Sequence, residues 1–253
     1  MDEATIQRLL AINRDFYRVT AEDFDQTRGR PWPGWDRVWD CLRQAAGRAS
    51  AAQPLALAVL DVGCGNGRFG VFLAQHMGDV GARLRYHGLD TEEALLERAR
   101  EALGSSPAVV ELRLERRDVI QSPPASGQYD LVALFGLIHH VPGRQTRQRL
   151  MRALGERVAP GGLLAFACWR FYEYGRFRER IVPWPEDLAG RVEAGDYLLD
   201  WRRGVPALRY CHYVDDDEQA QLVAATGLTE VAAYRADGRS GDANRYSILR
   251  RGG

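Results

Sequence analysis

The chain has 253 residues, 45% of them hydrophobic and 27% charged, with 34 basic side chains balancing 34 acidic ones. That is the size of one domain with embellishments and the composition of a folded globular protein, and a zero net charge offers no global attraction for nucleic acid, so any such partner must be held locally. No apolar run of about 18 residues is present and the N-terminus lacks a signal-like apolar core, so neither a membrane span nor secretion is expected, and the cytoplasm is the expected compartment. No lysine occurs, which removes Schiff-base chemistry and a phosphate-binding P-loop lysine. Cys41, Cys64, Cys168 and Cys211 form no C-x-x-C pair, so neither a structural zinc site nor a disulfide framework is indicated, and no metal is expected.

In chain order, apolar residues from Ile6 to Phe24 approximate a helical stripe. The segment Phe24 to Trp35 holds two prolines, two glycines, two arginines and two tryptophans, and reads as a loop with a function. Trp35, Val38, Trp39 and Leu42 open a second helix that ends near Gly47, and 49–54 reads as a linker. Leu57 to Val62 is an apolar run suited to a buried parallel strand. It gives way to Gly63, Gly65 and Gly67, then to Phe69, Phe72 and Leu73 at helical spacing. Strand, bare loop and helix make a cofactor cradle, because glycines let a ligand approach main-chain N–H groups and the helix start adds partial positive charge. A dinucleotide or S-adenosylmethionine are the two candidates. The dinucleotide pattern needs a glycine where Arg68 stands and gives no role to Asp61, whereas Asp61 with the three glycines resembles the Asp-x-Gly-x-Gly-x-Gly motif of class I methyltransferases, which implies S-adenosylmethionine.

A second strand, Leu84 to Leu89, ends at Asp90, where a carboxylate can accept both hydroxyls of a ribose, and Thr91 is expected to cap the next helix, which runs to about Leu103. Ala108 to Leu114 reads as a third strand followed by Asp118, and Tyr129 to Phe135 as a fourth that leads to His139 and His140. A helix from about Arg144 to Val158, a Pro160-Gly161-Gly162 turn and a fifth strand from Leu163 to Trp169 complete the alternation of a doubly wound sheet. Ligands of such sheets lie at the carboxyl ends of the strands, where Gly63, Asp90, Asp118 and His139 fall. Residues 170–213 break the pattern and read as an insertion over the active-site face; Asp215 with Glu218 resembles a capping box, and Val231–Tyr234 with Tyr246–Arg250 a last antiparallel pair.

The sheet residues, from about Leu55 to Leu249, resemble class I S-adenosylmethionine-dependent methyltransferases, through the Asp-x-Gly-x-Gly-x-Gly motif at Asp61 to Gly67. Phe24 to Arg28 followed by Pro31-Trp32-Pro33, the pair His139-His140, Cys168-Trp169, Val182-Pro183-Trp184 and Arg209-Tyr210-Cys211-His212 are more specific, and resemble the tRNA methyltransferases that esterify carboxymethyluridine at the wobble position, including the methyltransferase half of the AlkB-homologue fusion. Two departures are Val141, where that family commonly has tryptophan, and Cys211 in place of a second tyrosine.

The resemblance implies an α/β, Rossmann-like fold with a seven-stranded, mostly parallel sheet, organised as a single domain over 1–253 with a helical substrate-side extension over 1–50 and the substrate-covering insertion at 170–213. It implies a cofactor site for S-adenosyl-L-methionine made by Asp61, Gly63, Cys64, Gly65, Gly67, Asp90, Thr91, Asp118, Val119 and Phe135. Arg28, His139, His140 and Trp169 are the catalytic candidates; Trp32, Arg30, Trp184, Tyr210 and His212 are the substrate candidates. A carboxylate acceptor is ionised at neutral pH and needs an orienting cation rather than a base, which Arg28 can supply as a bidentate fork. Trp32, Trp169 and Trp184 can stack a splayed base. Of the two histidines, His140 is the favoured acid–base group, against the alternative that one packs and the other shapes the pocket. The expected partners are tRNA and a small zinc-binding activator protein. Competing readings are a natural-product or quinone methyltransferase, favoured by the neutral charge and by the net of only +1 over Arg170 to Arg209, and a non-catalytic cofactor-binding scaffold.

Overall fold

A computed structural model of the chain describes residues 1–26, 30–47, 56–202 and 204–253. The first strand, β1 (Ala56–Val62), alternates: Leu57 and Val59 enter one hydrophobic cluster, Leu60 and Val62 the other. A strand buried on both faces must be central and parallel. β2 (Arg83–Asp90) and β4 (Tyr129–Phe135) pair with β1 on either side, both parallel to it. β3 (Val109–Arg116) lies outside β2, β5 (Val158–Trp169) outside β4, and β10 (Asn244–Arg250) runs antiparallel between β5 and β9 (Thr229–Ala236). The order β3-β2-β1-β4-β5-β10-β9 is the seven-stranded, mostly parallel sheet expected from the sequence, and strand order reverses between β2 and β4, which opens a crevice above β1.

Helices cover both faces. On one, α2 (Gly34–Ala46), α3 (Arg68–Asp79) and α4 (Glu93–Gly104) pack through Trp35, Leu42, Phe72, Leu73 and Leu96. On the other, α5 (Arg144–Gly155) and α7 (Asp216–Ala225) pack through Leu150, Leu154 and Leu222. Period-two alternation in β4 sends Leu131, Ala133 and Phe135 to the first face and Val132 and Leu134 to the second, so Phe135 comes to the crevice on the side of α3. Between β5 and α7 the chain inserts a short helix, α6 (Gly175–Arg178), and a separate antiparallel sheet of β6 (Ile181–Val182), β7 (Asp196–Trp201) and β8 (Ala207–His212). The first helix, α1 (Glu3–Gln26), lies along β8.

Several boundaries differ from the sequence reading. Phe24 to Gln26 extend α1 rather than open a loop. Thr91 is not the cap of α4: the N-cap is Glu92, whose carbonyl receives Leu96 N–H, while Asp90 accepts the N–H of Glu92. Helix α5 ends at Gly155 instead of Val158, because the Arg157 carbonyl receives the Tyr129 amide and Val158 pairs with Tyr129 in the sheet. The turn at Pro160 to Gly162 is absorbed into β5 as an irregularity, since Gly161 N–H and Gly162 C=O bond the backbone of Arg251. Only half of the capping box forms: Asp215 accepts the Glu218 amide at 2.8 Å, but the Glu218 carboxylate turns elsewhere.

At the end of α5, a β-carbon on Gly155 would stand 2.4 Å from the Thr226 carbonyl oxygen, so α5 and the end of α7 touch backbone to backbone. Gly155→Ala should therefore cost about 1–3 kcal/mol, or roughly 2–4 °C of melting temperature per kcal/mol, without altering ligand affinity; thermal melts of both proteins check this.

Candidate active site

The glycine loop after β1 is shaped by φ values only glycine adopts freely: +75° at Gly63, +54° at Gly65 and +77° at Gly67. Their roles divide. A β-carbon on Gly65 would meet nothing within 4 Å, so that backbone faces open space, whereas one on Gly67 would stand 2.9 Å from the Ala99 β-carbon. Gly65 bares main chain to a ligand; Gly67 lets α3 approach α4.

Asp90, at the tip of β2, accepts Gly65 N–H at 2.8 Å on one oxygen and Glu92 N–H at 3.1 Å on the other. These bonds occupy two of the roughly four lone-pair sites of a carboxylate and leave capacity for a diol. Burial raises the Asp90 pKa, and the backbone bonds oppose the rise. Asp90, Thr91, Asp118, Val119, Phe135, Gly63 and Gly65 line one cavity of about 130 Å³. Asp118 accepts the N–H groups of Ile120 and Gln121, which fixes the loop after β3. Asp61, Gly63, Cys64, Gly65 and Phe135 line a second, smaller hollow with Trp32 and Arg68. Asp61 is buried and receives the Tyr86 hydroxyl at 2.6 Å; burial pushes its carboxyl up to about 7, the Tyr86 bond and Arg68 pulling against it and Asp90 adding to it. The cradle fits a nucleoside-bearing cation: bare backbone at Gly65, a carboxylate at the sugar position and a second carboxyl beneath the loop. Tyr17 of α1, Arg117 and Leu137 also line the larger hollow. No local pattern marks them, because their placement depends on how α1 and two loops dock.

Beside these hollows lies a larger cavity, about 550 Å³, which meets them at Gly136 and Trp32. His139 and Trp169 line it, ring centroids 5.5 Å apart. The insertion, expected over this face, supplies Arg176, Phe177, Arg180, Trp201 and Arg209, to none of which the sequence reading assigns a role in the site.

The other candidates lie elsewhere. Arg28 is outside the described residues, and Arg30 is exposed, its carbonyl holding the Arg68 guanidinium. His140, the favoured acid–base group, packs beneath α1: its Nδ1 donates to the Tyr210 carbonyl at 2.9 Å, which fixes the tautomer, and Tyr17 abuts its ring. Trp184 packs against Leu9, Leu188 and Tyr210 instead of offering a stacking face to the cavity. Tyr210 is fully buried and donates its hydroxyl to Asp196.

His212 is likewise spent. Its Nδ1 meets Asp196 at 2.7 Å and its Nε2 meets Glu218 at 2.6 Å, and Glu218 and Glu193 also receive Arg147, whose side chain is buried. Two carboxylate partners require both ring nitrogens to carry protons. Glu193, Asp196 and His212 have the spacing of a metal site, but the histidine nitrogens and Glu193 are engaged in this ion network. Burial alone would lower the His212 pKa; the bonds to Asp196 and Glu218 outweigh it and raise it. Burial would raise Glu218, but His212 and Arg147 hold it at about 2.

The methyltransferase-domain family matches residues 60–164, the stretch from β1 into β5. The chain is 27% identical over 176 residues to a tRNA (carboxymethyluridine(34)-5-O)-methyltransferase of Saccharomyces cerevisiae, an alignment that covers 66% of this chain and only 54% of that relative. It is 25% identical over 229 residues to demethylmenaquinone methyltransferase of Desulfitobacterium hafniense, covering 87% and 83% of the two chains. Among solved structures, the N-methyltransferase NodS of Bradyrhizobium japonicum with bound S-adenosyl-L-homocysteine superposes with a TM-score of 0.57 at 18% identity, over 98% of each chain.

The network predicts a stability window. A histidine whose folded pKa exceeds its unfolded one of 6.5 stabilises fully below that value and stops doing so as pH rises through the raised one. Glu218, depressed from 4.5 to about 2, contributes fully above 4.5 and loses its effect as pH falls towards 2. Thermal melts from pH 5 to 9 should show the wild type losing stability on the alkaline side and His212→Asn nearly flat there, with the variant less stable at pH 6 by about 3–5 kcal/mol.

Proposed function

We propose that the chain is an S-adenosylmethionine-dependent methyltransferase that methyl-esterifies the carboxymethyl group of a modified wobble uridine in tRNA. The observation that carries this reading is the 550 Å³ cavity, adjoining the cofactor hollow at Gly136 and lined by three half-buried tryptophans, His139 and several arginines. A cavity with aromatic walls suits a splayed base, and arginines suit an acid. Support also comes from the yeast relative, whose name carries this activity. The names of the relatives described above give no support to a zinc-binding activator. A cytoplasmic site of action belongs to the same proposal.

When bound, the cofactor supplies an electrophilic methyl carbon on a sulfonium, whose carbon–sulfur bond breaks as an acceptor oxygen bonds that carbon. Asp90, Asp118 and the Gly63 to Gly65 backbone would hold its nucleoside, and Asp61 would face its cationic part. Trp32 and Trp169 exclude water from the acceptor and hold its ring. His139, buried beside Trp169, orients an acceptor oxygen by a hydrogen bond. An ionised carboxylate surrenders no proton, so this work is alignment and desolvation. A second reading, a quinone or related small-molecule acceptor, is favoured by the relative from Desulfitobacterium hafniense, which is covered over most of its length.

Labelled S-adenosylmethionine with total tRNA and, separately, a small-molecule extract distinguishes the two readings: label entering tRNA as an alkali-labile ester is expected, and label confined to the extract would reject the first. Because no base is needed, kcat should stay flat from pH 6 to 9 and His139→Asn should cost about tenfold rather than the roughly 10²–10⁴-fold of a lost acid–base group. Cofactor affinity should behave differently. A cationic ligand prefers ionised Asp61, so affinity should rise as pH climbs through about 7, with proton uptake by buffer during calorimetric titration below that pH. In Asp61→Asn the pH dependence should vanish.

A further inference from the structure

Arg209 is only 9% exposed, lies on β8 and lines the 550 Å³ cavity. Its guanidinium carbon stands 4.8 Å from the centre of the Trp169 ring, 5.3 Å from Phe16 and 5.9 Å from Trp201. Its Nε has no hydrogen-bond acceptor, and among the described residues no carboxylate pairs with it. The two acids that line the same cavity are committed elsewhere. Asp200 bonds Arg202, and Asp237 receives Gly34 N–H, the Asn244 amide and the Tyr246 hydroxyl. A buried, permanently charged fork without a counter-ion is costly, and ring faces offset that cost only in part. Aromatic walls instead hold the planar group in one orientation, and the Cys211 thiol that it also meets is a weak acceptor that leaves most of its donors available.

We propose that Arg209 is the counter-ion that seats the acceptor, an organic carboxylate carried on a planar ring, beside Trp169 and His139. The assignment rests on the reading of the cavity as the acceptor site and gives this buried side chain the part that the sequence reading gave to Arg28. A guanidinium pairs with both oxygens of a carboxylate at once, which fixes the plane of the acid. Trp169 packs on Arg209 and His139 alike, so the acid held by the fork lies within reach of the histidine while the ring that bears it stacks on the indole. A neutral amide of the same shape would present an NH₂ group to the fork and lose one of the two bonds.

The test uses the full chain saturated with S-adenosylhomocysteine and two probe pairs: phenylacetate with phenylacetamide, and 5-carboxymethyluridine with its carbamoylmethyl counterpart, titrated by ligand-observed NMR. In each pair the wild type should favour the acid by at least about tenfold. Arg209→Gln should erase that preference with S-adenosylhomocysteine affinity unchanged and the melting temperature not lowered, Arg209→Lys should keep a weakened one, and Arg28→Gln should keep it in full. Should Arg209→Gln fail to fold, the Arg209→Lys and Arg28→Gln proteins still decide, since a preference undiminished in the first or lost only in the second overturns the proposal. Equal binding of acid and amide to the wild type also overturns it. Failure of the tRNA reading is seen separately: 5-carboxymethyluridine would then bind no better than phenylacetate, while the acid preference and its dependence on Arg209 persist.

Discussion

The site depends on the buried ion network of Arg147, Glu218, His212, Asp196 and Glu193. These residues come from α5, α7, β8, β7 and the turn before β7, so one cluster fastens the inserted sheet to the main domain. Charges removed from water are costly unless each finds partners, and here every member has at least one within 3.0 Å. Direction follows from that requirement. With His212 turned inward towards α7, the alternation of β8 turns Tyr210 inward as well and leaves Arg209 on the opposite face, against the cavity.

The same alternation explains which parts of the site were legible in the sequence. The cofactor loop could be read because its chemistry is local: an apolar strand, glycines with unusual φ and a carboxylate two residues upstream all lie within one short stretch. Asp90 and Asp118 were legible because strand ends in a doubly wound sheet meet on one side. The acceptor side was not. The run Arg209-Tyr210-Cys211-His212 carries the resemblance, but a run of four residues on a strand divides between two faces, and nothing in its spelling says which face is the cavity. His139 and His140 raise the same difficulty on a single turn of 3₁₀ helix, where neighbours diverge: one lines the cavity, and the other serves the backbone of Tyr210. Boundaries slipped where long-range pairing overrode local preference, as at Val158, claimed by the sheet instead of the preceding helix.

The overall charge of zero also conceals a divided interior. Beneath the glycine loop burial raises the pKa of both Asp61 and Asp90, and the charge of Asp90 raises that of Asp61 further, in surroundings suited to a cation. Across Gly136 the wall becomes guanidinium and indole, suited to an anion. On the proposed function, a cationic donor and an anionic acceptor would be received on opposite sides of Gly136, and their mutual attraction would favour the approach of one to the other. An exclusively arginine complement of strong bases is compatible with this arrangement, since none of those groups competes as a nucleophile at neutral pH.

Helix α1 has a further consequence. Asn13 accepts the Tyr210 amide at 2.9 Å and His140 takes its carbonyl, so side chains do on the outer margin of β8 what a fourth strand would do. Shortening the chain past Asn13 would bare that margin as an unprotected template for intermolecular β-pairing, with Leu208 and Val205 already exposed beside it. The N-terminal helix is thus a guard against self-association as much as a cover for the site, and preparations lacking it are expected to lose solubility before they lose their fold.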